Sequence, residues 1–166
     1  MTEITLKGTP IHTNATLPEI GSPAPDFVLI STDLKERSLK DYKGKNLILS
    51  IVPSLDTPVC LTSAKKFEEV LANRSDFRIL YISADLPFAL KRACGLEKLK
   101  KVETLSMMRD RKFAEDYGVL ITDGPLQGIA ARALVALDED HTIIYTELVP
   151  EIAQEPDYEK VMDTFS

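Results

Sequence analysis

Apolar and polar positions alternate at the start of the chain. Ile4-Thr5-Leu6-Lys7 and Ile11-His12-Thr13 flank Gly8-Thr9-Pro10, which predicts a small β-hairpin. After the Gly21-Ser22-Pro23-Ala24-Pro25 connector, Phe27-Val28-Leu29-Ile30 predicts a further strand. Leu47-Ile48-Leu49-Ser50-Ile51-Val52 is nearly continuous in apolar residues, the pattern of a strand buried on both faces of a parallel sheet, and it ends at Pro53. The period then changes. From Pro58 to about Ala72, Cys60, Ala64, Phe67 and Leu71 share one helical face, with Lys65, Lys66, Glu68 and Glu69 outward. Phe77 to Ile82 returns to strand, which completes a βαβ unit with a right-handed crossover. A short helix from Pro87 to Cys94 is expected to stop at Gly95 as a left-handed residue. Thr104-Leu105 follows as a short strand, then a helix from Lys112 to Tyr117 closed by Gly118. Ala133–Leu137 and Thr142–Thr146 flank the turn residues Asp138 to His141 and predict an antiparallel hairpin. Tyr158, Val161, Met162 and Phe165 mark a closing helix.

This order, βαβ, then helix, then ββα, is that of a thioredoxin-like α/β sandwich. The expected architecture is a central mixed β-sheet flanked by helices, with an additional N-terminal β-hairpin. No repeat, low-complexity run or linker divides residues 1–166, so a single domain is expected, with 1–16 as its hairpin extension. At 166 residues and 44% hydrophobic, the chain can bury a sufficient core. A net charge of −6 argues against nucleic acid as a partner, the local basic excess being Lys98, Lys100 and Lys101. No stretch reaches the ~20 apolar residues of a membrane span, and the first residues lack a signal-peptide core, so the expected location is the cytoplasm.

Candidate chemistry lies with two cysteines, Cys60 and Cys94. They form no Cys-x-x-Cys and, with His12 and His141 scattered, no zinc pattern, so no structural metal site is expected. The count alone leaves buried spectators, a structural disulfide and a redox pair open. Position separates the two thiols. A residue before proline avoids helical dihedrals, so Thr57 reads as the N-cap, Pro58 as the first helical residue and Cys60 as the third. Unpaired N–H groups and the positive end of the helix dipole there favour thiolate over thiol. Cys94 falls at a helix C-terminus, where the dipole disfavours a thiolate. In such a sandwich the loop entering the strand Ala133–Leu137 lies close to the helix carrying Cys60, which brings Arg132 within its reach. Asp56, which would oppose a thiolate if it turned inward, is expected to face away.

Pro53-x-x-x-Thr57-x-x-Cys60 with a distant arginine resembles the peroxiredoxin active site. Together with Ser83-Ala84-Asp85-Leu86-Pro87-Phe88-Ala89, Asp123-Gly124-Pro125-Leu126, Ala131-Arg132-Ala133 and Glu155-Pro156-Asp157-Tyr158, it resembles the bacterial thiol peroxidase subgroup, of the atypical two-cysteine kind, along essentially the whole chain. The resemblance implies that Cys60 attacks the O–O bond of a hydroperoxide, alkyl or hydrogen peroxide, and becomes a sulfenic acid. Thr57 and Arg132 then hold the peroxide oxygens, and Pro53 shields the sulfenic acid. It further implies that Cys94 resolves Cys60 as an intramolecular disulfide, that thioredoxin is the reductant, that the chain forms a homodimer, and that no metal or organic cofactor is needed. With both cysteines on helices, resolution requires local unwinding.

Two other functions are weighed beside this one. A thioredoxin-like disulfide exchanger would ordinarily place its second cysteine within Leu61-Thr62-Ser63, where there is none. A redox-switched peroxide sensor would use the same two thiols, and stoichiometric rather than repeated oxidation would distinguish it.

Overall fold

A computed structural model of the chain describes residues 1–71, 73–74, 76–96 and 102–165, with the side chains of 60, 61, 71 and 96 outside that description. The expected helix end near Ala72 and the Lys98, Lys100 and Lys101 group lie outside the described residues. The elements run β1 (Thr2–Leu6), β2 (Thr9–Thr13), β3 (Leu29–Ser31), β4 (Glu36–Arg37), β5 (Asn46–Ile51), α1 (Pro58–Leu71), β6 (Phe77–Ser83), α2 (Pro87–Leu96), β7 (Glu103–Ser106), α3 (Lys112–Asp116), β8 (Ala133–Leu137), β9 (Ile143–Leu148) and α4 (Tyr158–Asp163). β1 and β2 form a separate two-stranded hairpin. The other seven strands form one sheet in the order β4-β3-β7-β6-β5-β8-β9. β5, β6 and β7 are parallel, while β8 runs antiparallel to β5, so the sheet is mixed.

β5 lies inside the sheet between β6 and β8, and its continuous apolar text is buried on both faces, as a strand covered on either side requires. Ile48 joins Ala64 and Phe67 of α1, Leu90 and Ala93 of α2 and Val161 of α4. Leu47, Leu49 and Ile51 turn to the opposite face and pack with Phe113, Tyr117 and the hairpin residues Ile4 and Ile11. Alternation along the strand thus assigns α1, α2 and α4 to one layer, α3 and the hairpin to the other. Phe67 is fully buried, and truncating it to alanine costs about 3–5 kcal/mol.

The hairpin is tied to the body at two places. Asn14 N donates to the Leu120 carbonyl at 2.8 Å and Thr122 N to the His12 carbonyl at 2.9 Å. At the other edge Thr5 N donates to the Pro150 carbonyl at 2.8 Å and Ile152 N to the Thr5 carbonyl at 2.9 Å. Gly118, with φ +71°, closes α3 as expected, and an added Cβ there would fall 2.0 Å from the Thr16 carbonyl oxygen.

Three features differ from the sequence expectation. The strand expected from Phe27 begins at Leu29, because Asp26 Oδ1 accepts the N–H groups of Phe27 and Leu39 and turns the chain just before it. α2 does not stop at Gly95 but continues to Leu96, since glycine permits a left-handed turn without compelling one. β4 and a 3₁₀ turn at Leu39–Tyr42 are too short for hydrophobic periodicity to announce. No helix among the described residues is long and apolar enough to cross a membrane.

Candidate active site

Parallel strands end on the same side of a sheet, and crevices at those carboxyl ends are where α/β proteins place their chemistry. Ile51 pairs with Ile82 in the parallel β5–β6 ladder, and Ser83 with Ser106 in β6–β7. Antiparallel β8 begins where β5 finishes, with Ala133 opposite Ile51. Four chain segments therefore meet at this end: the exits of β5, β6 and β7, and the entrance to β8. Val52 N still donates to the Ile82 carbonyl at 3.0 Å, and Met107 N to the Ser83 carbonyl at 2.9 Å, so the exits leave the sheet together.

The exit of β5 carries Pro53 and Thr57 toward α1. Pro53 and Leu55 are buried, while Asp56 is exposed. Thr57 directly precedes α1, and its Oγ1 donates to the Ser54 carbonyl at 3.3 Å. Pro58 opens the helix and Cys60 is its third residue, the position at which the first-turn N–H groups and dipole act. The Cys60 side chain, expected to favour thiolate, lies outside the described residues.

Arg132 stands at the entrance to β8 and is only 3% exposed. A buried guanidinium needs fixed acceptors. Its Nε donates to the Ile152 carbonyl at 2.9 Å, and its own carbonyl accepts from Val149 N at 3.0 Å. The 149–152 segment that seats Arg132 is the one the hairpin grips through Thr5. Thr5 Oγ1 and Gly8 N also donate to Glu151 Oε1, at 3.1 and 2.9 Å. This gives the N-terminal hairpin a place in the site, because it buttresses the backbone that orients the arginine.

Cys94 lies in the last turn of α2, half-buried, with its sulfur 3.9 Å from Thr104 Oγ1 on β7. Burial pushes its thiol above the ordinary cysteine value and the charge of Glu68 on α1 adds to that, while the Thr104 contact opposes both. Glu68 Oε1 also accepts from Val102 N at 2.9 Å, so α1 holds the chain just ahead of β7.

The strand register thus brings Pro53, Thr57, the backbone of Cys60 and Arg132 to one end of the sheet. Cys94 sits on the neighbouring helix of the same layer. Sequence reasoning missed the carboxylate at the centre of the exits. Asp85 accepts from Ser54 Oγ at 2.7 Å, Leu55 N at 2.7 Å and Ser83 Oγ at 2.8 Å. A signal was available, since Ser and Asp directly after a strand are residues that fold back onto nearby backbone donors. A hollow of about 290 Å³ lined by Asp26, Phe27, Val28, Asp110, Lys112, Phe113 and Asp116 lies on the α3 side of the sheet, away from the layer of α1 and α2.

Comparison with known proteins finds similarity along nearly the whole chain. A family model, Redoxin, matches residues 19–162, so the N-terminal hairpin precedes the match. A thiol peroxidase of Mycobacterium tuberculosis strain H37Rv is 51% identical over 162 residues, covering 98% of this chain and 97% of the relative. A crystal structure of a peroxiredoxin-like protein from Aquifex aeolicus superposes with a TM-score of 0.92 at 39% identity, over 98% of this chain and 95% of that one. A thiol peroxidase from Chromobacterium violaceum has the same fold, with a TM-score of 0.92 at 22% identity over 99% and 96% of the two chains.

Proposed function

Because the chain belongs to the Redoxin family and stands among its thiol peroxidases, we propose that it reduces hydroperoxides, alkyl peroxides and hydrogen peroxide alike, with Cys60 as the attacking thiol. The observation that carries this reading is the β5–β8 register. It puts the entrance at Arg132, a buried cation, beside the chain leaving β5 for the helix whose third residue is Cys60.

In the proposed cycle the Cys60 thiolate attacks the nearer peroxide oxygen. The O–O bond breaks, Cys60 becomes a sulfenic acid, and the distal oxygen leaves as an alcohol, or as water from hydrogen peroxide, after taking a proton. Charge grows on the leaving oxygen as that bond stretches, so a positioned guanidinium contributes most at the transition state. Arg132 supplies that charge, and its bond to the Ile152 carbonyl fixes the plane of the fork. Thr57 places a hydroxyl at the same end of the sheet, and buried Pro53 limits water at the sulfenic acid.

Cys94 then attacks the Cys60 sulfur, expelling water and forming a disulfide. Two cysteines can bridge only with their Cα atoms within ~7 Å. Cys60 and Cys94 both lie in helical turns, so one turn or both unwind for the bond to form. A thioredoxin-type dithiol attacking the Cys94 sulfur expels Cys60, the better leaving group, and restores both thiols. In this reading residues 1–166 act as one domain, as a homodimer in the cytoplasm.

Hydroperoxide consumption measured over many turnovers with thioredoxin and its reductase tests the proposal. Sustained consumption is expected. A chain that oxidises once and stalls with every dithiol supplied would be a sensor rather than an enzyme.

A further inference from the structure

Asp85 is the acceptor on which the two cysteine-bearing segments converge. Its Oδ2 accepts from Leu55 N at 2.7 Å and Ser83 Oγ at 2.8 Å, and its Oδ1 from Ser54 Oγ at 2.7 Å. Its own backbone is held as firmly. Asp85 N donates to Ser83 Oγ at 3.3 Å, and its carbonyl accepts from Ser106 Oγ at 2.5 Å. Ser83 and Ser106 are buried, so these hydroxyls are committed to the network rather than to solvent. The chain reaches Asp85 two residues before α2 begins, while Ser54 and Leu55 lie three and two residues before Thr57. Ser54 Oγ also accepts from Asp56 N at 3.1 Å. One carboxylate thus fixes directly, or through Ser54, two consecutive backbone N–H groups of the loop leading to Thr57 and Cys60.

Hydrogen bonds to an ionised acceptor are shorter and stronger than neutral ones, and three converging on a single carboxylate define a position rather than a loose tether. A loop between a strand and a helix otherwise has freedom at each residue, and reacting groups displaced by 1 Å can lose about 100-fold in rate. From this geometry we infer that Asp85 is a positioning residue for peroxide reduction. Its carboxylate holds the Ser54–Leu55 turn so that Pro53 and Thr57 keep their places against α1, and it anchors that turn to the root of the helix bearing Cys94. In this role Asp85 acts through the Ser54–Leu55 turn rather than on the reacting atoms. The inference rests on the proposed role of Cys60.

The test compares two reactions of the Cys60 thiol in reduced protein: single-turnover oxidation by a hydroperoxide, and alkylation by iodoacetamide followed by mass. Oxidation needs an oriented peroxide, whereas alkylation needs only an accessible thiolate. For Asp85→Ala the peroxide rate is expected to fall roughly 100-fold and the alkylation rate to change less than about threefold. Asp85→Asn keeps one acceptor for Leu55 N and Ser83, and lets Ser54 Oγ accept from the amide, so it is expected to recover most of the lost rate. An unchanged peroxide rate in Asp85→Ala, a parallel fall in both reactions, or an asparagine variant no better than alanine overturns the inference. If Asp85→Ala lacks a cooperative unfolding transition, Ser54→Ala decides. A fall of about tenfold in the peroxide rate alone supports the positioning role, and no fall overturns it. Wild-type protein that leaves hydroperoxide untouched refutes the peroxidase reading and the inference together, whereas a reactive wild type with an equally reactive Asp85→Ala refutes the inference alone.

Discussion

α1 and α2 share one layer of the sandwich and each carries a cysteine, but at opposite ends of the helix. Cys60 is the third residue of α1, whereas Cys94 occupies the last turn of α2. The α1 start gathers the devices that favour and hold an anion: helix N–H groups, a threonine before the helix and a buried arginine entering from β8. The α2 end gathers those that keep a thiol neutral, namely burial, the nearby Glu68 and the unfavourable end of the dipole. In the proposed cycle the same side chain thereby serves two jobs, attack on an oxidant and resolution. The difference comes from placement rather than residue type.

The sharpest way to break this comparison is to exchange which thiol remains. Cys60→Ser is expected to lower hydroperoxide consumption by at least roughly 1,000-fold, since Cys94 lies at a helix end rather than a helix start. Cys94→Ser is expected to keep a rapid first oxidation and to lose thioredoxin-dependent turnover. Stopped-flow traces of the first turnover beside steady-state assays read both. A Cys60→Ser protein that still consumes peroxide in a burst would remove the distinction.

A smaller effect is expected at the arginine. Arg132→Lys keeps a charge but cannot donate to Ile152 and present a planar fork at once, so the second-order rate with hydroperoxide is expected to fall about 100-fold. Iodoacetamide alkylation of Cys60 is expected to fall much less. Equal losses in both reactions would mean that Arg132 acts on the thiolate alone.

A pH dependence is expected at the α2 end. Burial disfavours charge on Cys94, so its thiol stays protonated to higher pH than an ordinary cysteine, and the fraction able to attack Cys60 rises with pH. The resolution rate is expected to climb between pH 6 and 8 by about tenfold per unit, while the first oxidation changes less. Resolution rates flat with pH would contradict the assignment. The smallest effect belongs to Glu68→Gln. It keeps an acceptor for Val102 N but removes a negative charge near Cys94, and it should speed resolution about two- to fivefold at neutral pH.

What could be read from sequence divides along the range of the interactions concerned. The start of α1 was legible because Thr57, Pro58 and Cys60 are neighbours whose backbone preferences act locally, and β5 because its apolar run is continuous. The sandwich followed from the order of such elements. Arg132 needed both a fold and a family resemblance, since nothing near it in sequence announces a buried cation. The supports were illegible for a related reason. Asp85 meets Ser54 from 31 residues away, and Thr5 meets Glu151 from 146. Bonds of that span arise only once the sheet has brought its edges and exits together. The end of α2 was misjudged at Gly95 because a glycine's tolerance of two conformations does not say which one packing selects.

The pairing of the two unlike cysteines in one cycle is tested most directly by non-reducing intact mass after one equivalent of hydroperoxide, on wild type and on Cys94→Ser. Loss of two hydrogens is expected in wild type, as the Cys60–Cys94 disulfide forms, and gain of one oxygen at Cys60 in the variant. Unchanged masses in both proteins, or oxygen retained on wild-type Cys60 with no loss of hydrogen, would contradict the account.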